Sequence, residues 1–402
     1  MSKREEWDVA VAGGGPAGLA AAITAATAGA RTVVLERSRY PRYKTCGGGL
    51  IGASLAAVAP WVTVPTRDRI HAVTATHDGA RELTREHATV PLLEMVLRDE
   101  FDDALRRSAI GAGAQIREDS MVRAIDSADG RAVARLAGGE EVRARVVVGT
   151  DGSSGVSARH VGARFEQVDL GLEVELPVPE PVRHRWRGRL QLDWGPIPGS
   201  YGWVFPKSDR LTVGVIAARG RGDETRAYLR RFVDRLGLAA YQPIHDSGHL
   251  TRCRAADSPL RRGHVIVAGD AAGLLEPWTR EGISFALRSG TFAGAAAAAA
   301  AGAPDGEEFD GALDGYLRDV DRVLIPEMRA GRRLLSAFIR HPGMFHRALA
   351  TPPGWRAFIK LCRSEVSFAG AIERPGVRTA LAALGRGGHD PVLLGAAGRS
   401  SR

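Results

Sequence analysis

Gly13-Gly14-Gly15-Pro16-Ala17-Gly18 stands between a short apolar run from Trp7 to Ala12 and a second one, Val33-Val34-Leu35, that ends in Glu36. The order reads as strand, tight turn, helix, strand. Each glycine of G-x-G-x-x-G has its own physical reason: the first lets the chain turn sharply, the second lets backbone approach a pyrophosphate, and the third lets helix pack on strand. A helix start then faces the phosphates with unpaired N–H groups and partial positive charge. Glu36 lies where such units place an acid on the adenosine ribose hydroxyls. These features constrain the chain to an α/β fold with a dinucleotide site at Gly13, Gly15, Pro16, Ala17 and Gly18.

With 402 residues there is room for two or three domains, and 44% hydrophobic residues exclude wholesale disorder. Cys46, Cys253 and Cys362 are too few and too scattered for a disulfide framework or a zinc site, so no metal is expected and a reducing cytoplasm is the expected compartment. Met1 to Glu6 is a charged lead with no apolar signal segment, which argues against export. The alanine-rich run Gly282 to Ala303 contains Arg288 and many glycines; it suits a buried helix better than a membrane span. A net charge of +9 fits nucleic acid, anionic lipid or phosphorylated ligands alike. No nucleic-acid-binding signature accompanies it, so nucleic acid is not an expected partner.

Further along, Arg37 to Lys44 is basic and leads into Thr45-Cys46-Gly47-Gly48-Gly49, a loop whose glycines let backbone lie flat against a planar ligand. On its own Cys46 reads equally as a small buried thiol. Ile70 to Val90 alternates around Asp78-Gly79 as a hairpin. Glu94 to Ile110 has a helical spacing with Leu97, Phe101, Leu105 and Ile110 on one face, and Arg98 with Asp102 as a surface pair. Ala144 to Gly149 is a buried strand running into Thr150-Asp151-Gly152. Tyr201, Trp203 and Phe205 alternate along one strand, which puts three rings on one face, followed by a returning strand at Leu211 to Val215. Plain sheet-to-helix packing would also explain those rings. Glu224 to Leu236 is an amphipathic helix, and Gly263 to Gly273 brings the chain back to the first sheet. From Phe309 on the chain reads as helical, and Met328 to Ser364 carries eight Arg or Lys residues without one Asp or Glu. That stretch is either a solvated helical cap, a surface for anionic lipid, or a funnel for a pyrophosphate-tailed substrate.

Taken in order, the G-x-G-x-x-G unit with Glu36, the Arg98 helix, Asp151-Gly152 and Gly269-Asp270-Ala271-Ala272-Gly273 resemble the FAD-dependent para-hydroxybenzoate hydroxylase superfamily. Lys44-Thr45-Cys46-Gly47-Gly48-Gly49, Tyr201-Gly202-Trp203-Val204-Phe205-Pro206-Lys207 and the segment from Gly269 through Pro277 to Glu281-Gly282-Ile283 are similar to the geranylgeranyl reductase family. One departure is Trp278-Thr279-Arg280, where many members have a smaller run containing glycine.

The resemblance implies a Rossmann-like FAD-binding domain with an inserted antiparallel β-sheet substrate domain and a C-terminal helical region. The expected boundaries are 1–62, 92–162 and 255–305 for the first, 63–91 and 163–254 for the second, and 306–402 for the third. It implies FAD held by Gly13, Gly15, Pro16, Ala17, Gly18, Glu36, Arg37, Lys44, Cys46, Gly47, Gly48, Arg98, Asp151, Gly269, Asp270, Pro277, Gly282 and Ile283. Reduction of isoprenoid carbon–carbon double bonds is the implied reaction, with hydride from reduced FAD and a proton to the other carbon. Cys46, Gly47 and Gly282 are the implied catalytic positions. Tyr201, Trp203 and Phe205 would bind a prenylated small molecule or lipid, and Lys207 would meet its polar head or cap the strand. NADPH or a ferredoxin-like donor would reduce the flavin, in a cytoplasmic protein with peripheral membrane contact as one option. The alternative is an FAD-dependent aromatic or polyketide monooxygenase or a halogenase, although halogenases carry W-x-W-x-I-P where this chain has the Tyr201 to Pro206 strand.

Overall fold

The computed structural model describes residues 6–87 and 89–385. The first part of the charged lead and residues 386–402 of the expected helical region lie outside the described residues. Glu6–Ala12 forms the middle of an eight-stranded sheet, paired in parallel with Thr32–Leu35 on one side and Glu141–Gly149 on the other. Val265–Val267 then adds in parallel to Glu141–Gly149, so the chain does return to its first sheet after a long excursion. The short strand Gln115–Arg117 closes the opposite edge.

Two helices cover this sheet and explain the glycine and alanine content. Pro16–Thr27 buries Leu19, Ile23 and several alanines. Ile283–Gly302 lies against it so closely that a methyl group on Gly290 would sit 2.9 Å from the Ala17 carbonyl carbon, and one on Gly294 2.9 Å from Ala21 Cα. The alanine-rich run is therefore a buried helix, and no helix among the described residues is long and apolar enough to cross a membrane.

The second sheet has seven strands, in the order His245–Arg254, Phe165–Pro177, Arg210–Ala218, Tyr201–Lys207, Arg189–Trp194, Ala72–His77, Ala80–Glu86. It is mixed, not purely antiparallel as expected, because Arg189–Trp194 runs parallel to Ala72–His77. The Asp78-Gly79 hairpin forms as read. The amphipathic helix Gly222–Arg235 packs Tyr228, Leu229 and Phe232 onto one face of this sheet, with Leu172, Val174 and Val213 below them.

A third, three-stranded sheet joins Gly49–Leu50, Leu93–Val96 and Thr66–Ile70, and so links stretches that the sequence assigned to different domains. Residues 93–96 are thus strand, and the helix expected from Glu94 starts at Arg98. Ile110, expected on its apolar face, is 47% exposed, whereas Phe101 and Leu105 are fully buried. The C-terminal helices Glu307–Val323, Ile325–Arg340, Pro342–Ala350, Pro352–Cys362, Phe368–Ile372 and Pro375–Gly385 follow one another, four of them with proline in the first turn, where its missing N–H costs nothing.

Candidate active site

At the fingerprint turn the three glycines divide their work as their spacing demands. Gly13 takes φ +103°, a conformation open to glycine, and a methyl on it would meet the Thr150 carbonyl oxygen at 2.5 Å. A methyl on Gly18 would meet Thr150 Oγ1 at 2.6 Å and Gly13 O closer still, so here helix and strand touch. Gly15 faces open space: among the described residues beyond its chain neighbours, none comes within 4 Å of an added methyl. Thr150 locks the turn by donating to Ala12 O at 3.0 Å and Gly13 O at 2.8 Å. Glu36, the expected ribose ligand, is buried and accepts from Gly14 N at 2.7 Å and Ser38 N at 3.0 Å. Arg37 is exposed at the rim.

Beyond this turn lies a knot of charge. Arg98 is not a surface residue: its guanidinium makes two 2.9 Å bonds to Asp102, whose carboxylate is wholly buried. Arg42 joins the same carboxylate at 3.1 Å and donates to Gly14 O at 2.9 Å. The Arg42 to Cys46 loop covers this helix face, which is why the pair left the surface. Burial alone would lower the Arg98 pKa, but Asp102 and then Cys46 outweigh it and raise it, so the cation is fixed. Lys44 Nζ stands 3.2 Å from His249 Nδ1, and His249 Nε2 stands 3.3 Å from Asp270 Oδ2. Burial pushes Lys44 down, with Arg98 adding to the fall. Burial would push Asp270 up, yet His249, Lys44 and Arg98 together hold it below the usual carboxylate value. Asp151 accepts from Val156 N at 2.7 Å and Ser157 N at 3.1 Å, bracing the helix Val156–Val161, and burial raises its pKa despite them.

The glycine loop lies flat on the aromatic strand. A methyl on Gly47 would reach the Phe205 ring at 2.8 Å, and Gly48 takes φ +71°. Tyr201, Trp203 and Phe205 do share one face, with ring centroids 5.9 and 6.3 Å apart. Trp203 lies across Gly214 of the neighbouring strand, where a methyl would stand 2.5 Å from its Cε2, and its indole Nε1 is buried without a partner among the described residues. Cys46 N donates to Glu173 Oε1 at 2.7 Å. Lys207, expected either to meet a substrate head or to cap the strand, is buried behind the loop, 3.4 Å from Cys46 O and 3.7 Å from Glu175.

The segment after the Gly269-Asp270 turn forms the remaining wall. Gly269 takes φ +58°, and Pro277 O accepts from Gln167 Nε2 at 3.0 Å. Arg280 adopts φ +56°, a left-handed backbone that disfavours an arginine. Its side chain offsets that cost by pairing with Asp169 at 3.1 Å, both buried, and donating to Trp278 O at 2.6 Å. Tyr201 donates to Thr279 O, which ties the same turn to the aromatic strand. Gly282 precedes the helix Ile283–Gly302, so that helix's unpaired first N–H groups stand at the wall.

All these parts enclose one cavity of about 1660 Å³. Gly13, Gly15, Pro16, Ala17, Glu36, Arg37, Lys44, Cys46, Gly47, Gly48, Arg98, Asp151, Asp270, Gly282 and Ile283 line it at one end, with Tyr201, Trp203 and Phe205 beyond them. Gly18, Gly269, Pro277 and Lys207 stand behind the wall rather than on it. From the rings the cavity continues between Leu190, Leu192 and the C-terminal residues Phe338, Phe345, Phe358 and Leu361. Pockets for one drug-sized ligand reach only ~1,000 Å³, so this one has room for a dinucleotide and a second molecule. FAD fits the first end: open space at Gly15 for phosphates, a helix start behind it, and fixed cations opposite. Sequence reading missed Arg42, Glu173, His249 and Asp169. Arg42 lay inside the basic run it described only as a loop, and the alternation of acids in Leu172-Glu173-Val174-Glu175 was the available signal for Glu173.

A family model described as an FAD binding domain matches residues 6–316. Geranylgeranyl diphosphate reductase of Oryza sativa subsp. japonica is 30% identical over 363 residues, 83% of this chain and 75% of that protein. This chain belongs to the geranylgeranyl reductase family. It is an FAD-dependent oxidoreductase of the geranylgeranyl reductase type. Another relative is digeranylgeranylglycerophospholipid reductase 3 of Methanosphaera stadtmanae, 28% identical over 325 residues, 74% of this chain and 78% of that protein. Among solved structures, a geranylgeranyl bacteriochlorophyll reductase-like protein from Thermoplasma acidophilum superimposes with a TM-score of 0.75 at 22% identity, covering 95% of this chain and all of that one. The flavin-dependent brominase Bmp2 shares the fold at 17% identity, with a TM-score of 0.70 over 94% of this chain and 99% of its own.

Proposed function

We propose that this family member saturates carbon–carbon double bonds of an isoprenoid chain. The observation that carries this reading is the continuity of the cavity: one end is built for FAD, and the other is a long apolar channel walled by rings. Bound FAD in its reduced form would supply a hydride, which carries both electrons of the reduction. Tyr201, Trp203 and Phe205 would bury a prenyl chain on a rigid strand and restrict where its double bonds lie. The channel between the sheet and the C-terminal helices takes the remainder of the chain and keeps water out. Arg98, Lys44 and Asp270 would hold the polar parts of FAD, and the first N–H groups after Gly282 would favour negative charge beside them. Cys46 and Gly47 shape the reacting space. NADPH or a ferredoxin-like protein serves as electron donor, and the setting is cytoplasmic with peripheral contact to an anionic membrane through the basic helices.

Incubating dithionite-reduced protein with prenyl diphosphates, quinones and lipids tests the reading through product mass. Two hydrogens gained per double bond is the expected outcome. Oxygen incorporation with oxygen consumption would overturn it in favour of a monooxygenase, and halide incorporation in favour of a halogenase. Vesicles of phosphatidylserine should retain the protein at low salt and release it at high salt.

A further inference from the structure

Each saturated double bond consumes one proton inside a cavity whose walls are largely apolar, so the fold must contain a route by which protons reach it. We propose that Glu173 is the acid that delivers solvent protons to this cavity, with the Tyr43 hydroxyl as its outer relay. The proposal rests on the double-bond reductase reading above.

Glu173 occupies the strand Phe165–Pro177, across from Gly214 on one side and Ser247 on the other. It is 1% exposed and lines the cavity beside Cys46. Its Oε1 accepts from Cys46 N at 2.7 Å and from the Tyr43 hydroxyl at 3.3 Å. That hydroxyl lies 2.8 Å from Ser247 Oγ, which in turn accepts from Thr45 Oγ1 at 3.0 Å. Tyr43 is 37% exposed and its ring stacks on His245 with centroids 3.8 Å apart. A chain of hydroxyls thus runs from solvent to a buried carboxyl at the reacting space.

The surrounding charges permit the role. Burial raises the Glu173 pKa above the ordinary carboxylate value; Lys207 and the Cys46 N–H pull against it, while Glu175 adds to the rise. Glu175 is itself occupied by Lys207 at 3.7 Å and Arg210 at 3.3 Å. The other acids of the wall have partners of their own: Glu36 accepts from Gly14 N and Ser38 N, and Asp270 Oδ2 stands 3.3 Å from His249 Nε2. Glu281 accepts from Ser284 N and Oγ and from Ser54, Glu276 from Trp278 N and Thr279, and Asp151 from a helix start.

In the step itself the alkene takes a hydride at one carbon from reduced FAD, which is oxidised by two electrons. The other carbon forms its C–H bond with the Glu173 carboxyl proton, and the O–H electron pair stays on the carboxylate. Tyr43 then returns a proton to Glu173 and takes one from water.

Glu173→Gln keeps an acceptor for Cys46 N–H and removes the proton. Retention of FAD affinity within about twofold will show that the loop has held. Single-turnover oxidation of dithionite-reduced protein by geranylgeranyl diphosphate should slow about 100-fold in E173Q, within the range for removing a general acid. Tyr43→Phe should slow repeated turnover under excess dithionite, where Glu173 must be reprotonated between double bonds, and enlarge the solvent deuterium isotope effect of that turnover. Infrared spectra of the FAD-free protein provide a readout apart from turnover. One protonated-carboxyl band near neutral pH should be lost in E173Q, leaving those of other buried acids in place, and should be slower to shift in D₂O in Y43F. Absence of that band, or an E173Q protein with wild-type rate and pH profile, overturns the proton path while wild-type turnover leaves the reductase reading standing. Wild-type protein that reduces neither geranylgeranyl diphosphate nor a prenyl quinone overturns that reading and this role with it.

Discussion

Gly15 and Gly18 are three residues apart in the same turn, yet methyl groups on them should fail in different ways. At Gly18 a methyl would stand 2.6 Å from Thr150 Oγ1 and nearer still to Gly13 O, where ordinary contact begins at 3.4 Å. The helix start must therefore retreat by at least about 0.8 Å, which overpacking costs place at about 3 kcal/mol of stability. Displacement on that scale exceeds the ~0.5 Å tolerance of a preorganised site, so FAD affinity should fall about 100-fold as well. At Gly15 the backbone is extended, φ −81° and ψ −176°, and among the described residues nothing it could press on lies within 4 Å of an added methyl. Gly15→Ala should leave the FAD-free protein within about 0.5 kcal/mol of wild type. Its methyl would occupy the space reserved for phosphate, so FAD affinity should drop by about 10- to 100-fold, the equivalent of ~1.4–2.8 kcal/mol. Urea unfolding of the FAD-free proteins and calorimetric titration with FAD measure the two quantities separately. A G15A protein that binds FAD like wild type would refute the placing of the pyrophosphate against this turn. A G18A protein as stable as wild type would refute the packing argument.

Asp102→Asn leaves Arg98 and Arg42 sharing a neutral group in a buried setting; it should cost about 3–5 kcal/mol, read as a lower urea midpoint, whereas the exposed pair Arg39–Asp119 can be removed with little loss. Gly294→Ala, whose methyl would press on the Ala21 backbone, should lower stability by about 1–3 kcal/mol without altering FAD affinity per folded molecule. Burial raises the Glu281 pKa in spite of its bonds to Ser284 and Ser54. Such a raised carboxyl stabilises fully below its ordinary value of about 4.5 and loses that contribution as pH rises through its folded value. The unfolding free energy of wild type relative to E281Q should therefore decline from about pH 4.5 upward, and a flat difference across pH 4–8 would count against a destabilising buried carboxylate.

The fingerprint turn was legible because its geometry is local. A turn requiring positive φ, an open backbone position and a tight helix contact each demand glycine within six residues, so the demand is written contiguously. The aromatic strand was legible for the same reason, since period two follows from the pleat alone. Arg98 misled the reading because an i,i+4 pair carries no mark of what covers it. The cover here comes from Arg42 and the Cys46 loop, more than fifty residues earlier.

Glu173 shows the limit in its sharpest physical form. In Leu172-Glu173-Val174-Glu175-Leu176 the alternation of apolar and acidic residues ordinarily assigns the acids to a solvated face, because one side of an antiparallel sheet commonly meets water. The apolar half of that rule holds, as Leu172, Val174 and Leu176 pack under the helix Gly222–Arg235. The other face is covered by the glycine loop, which can approach so closely only because Gly47 and Gly48 carry no side chains against Phe205 and Val96. The acids are buried by that approach, and Lys207 is buried with them as their counter-charge. The glycines that bring this loop backbone into the cavity wall thus also seal a carboxyl group beside Cys46. A bulkier loop would stand away from the sheet and give that carboxyl back to water.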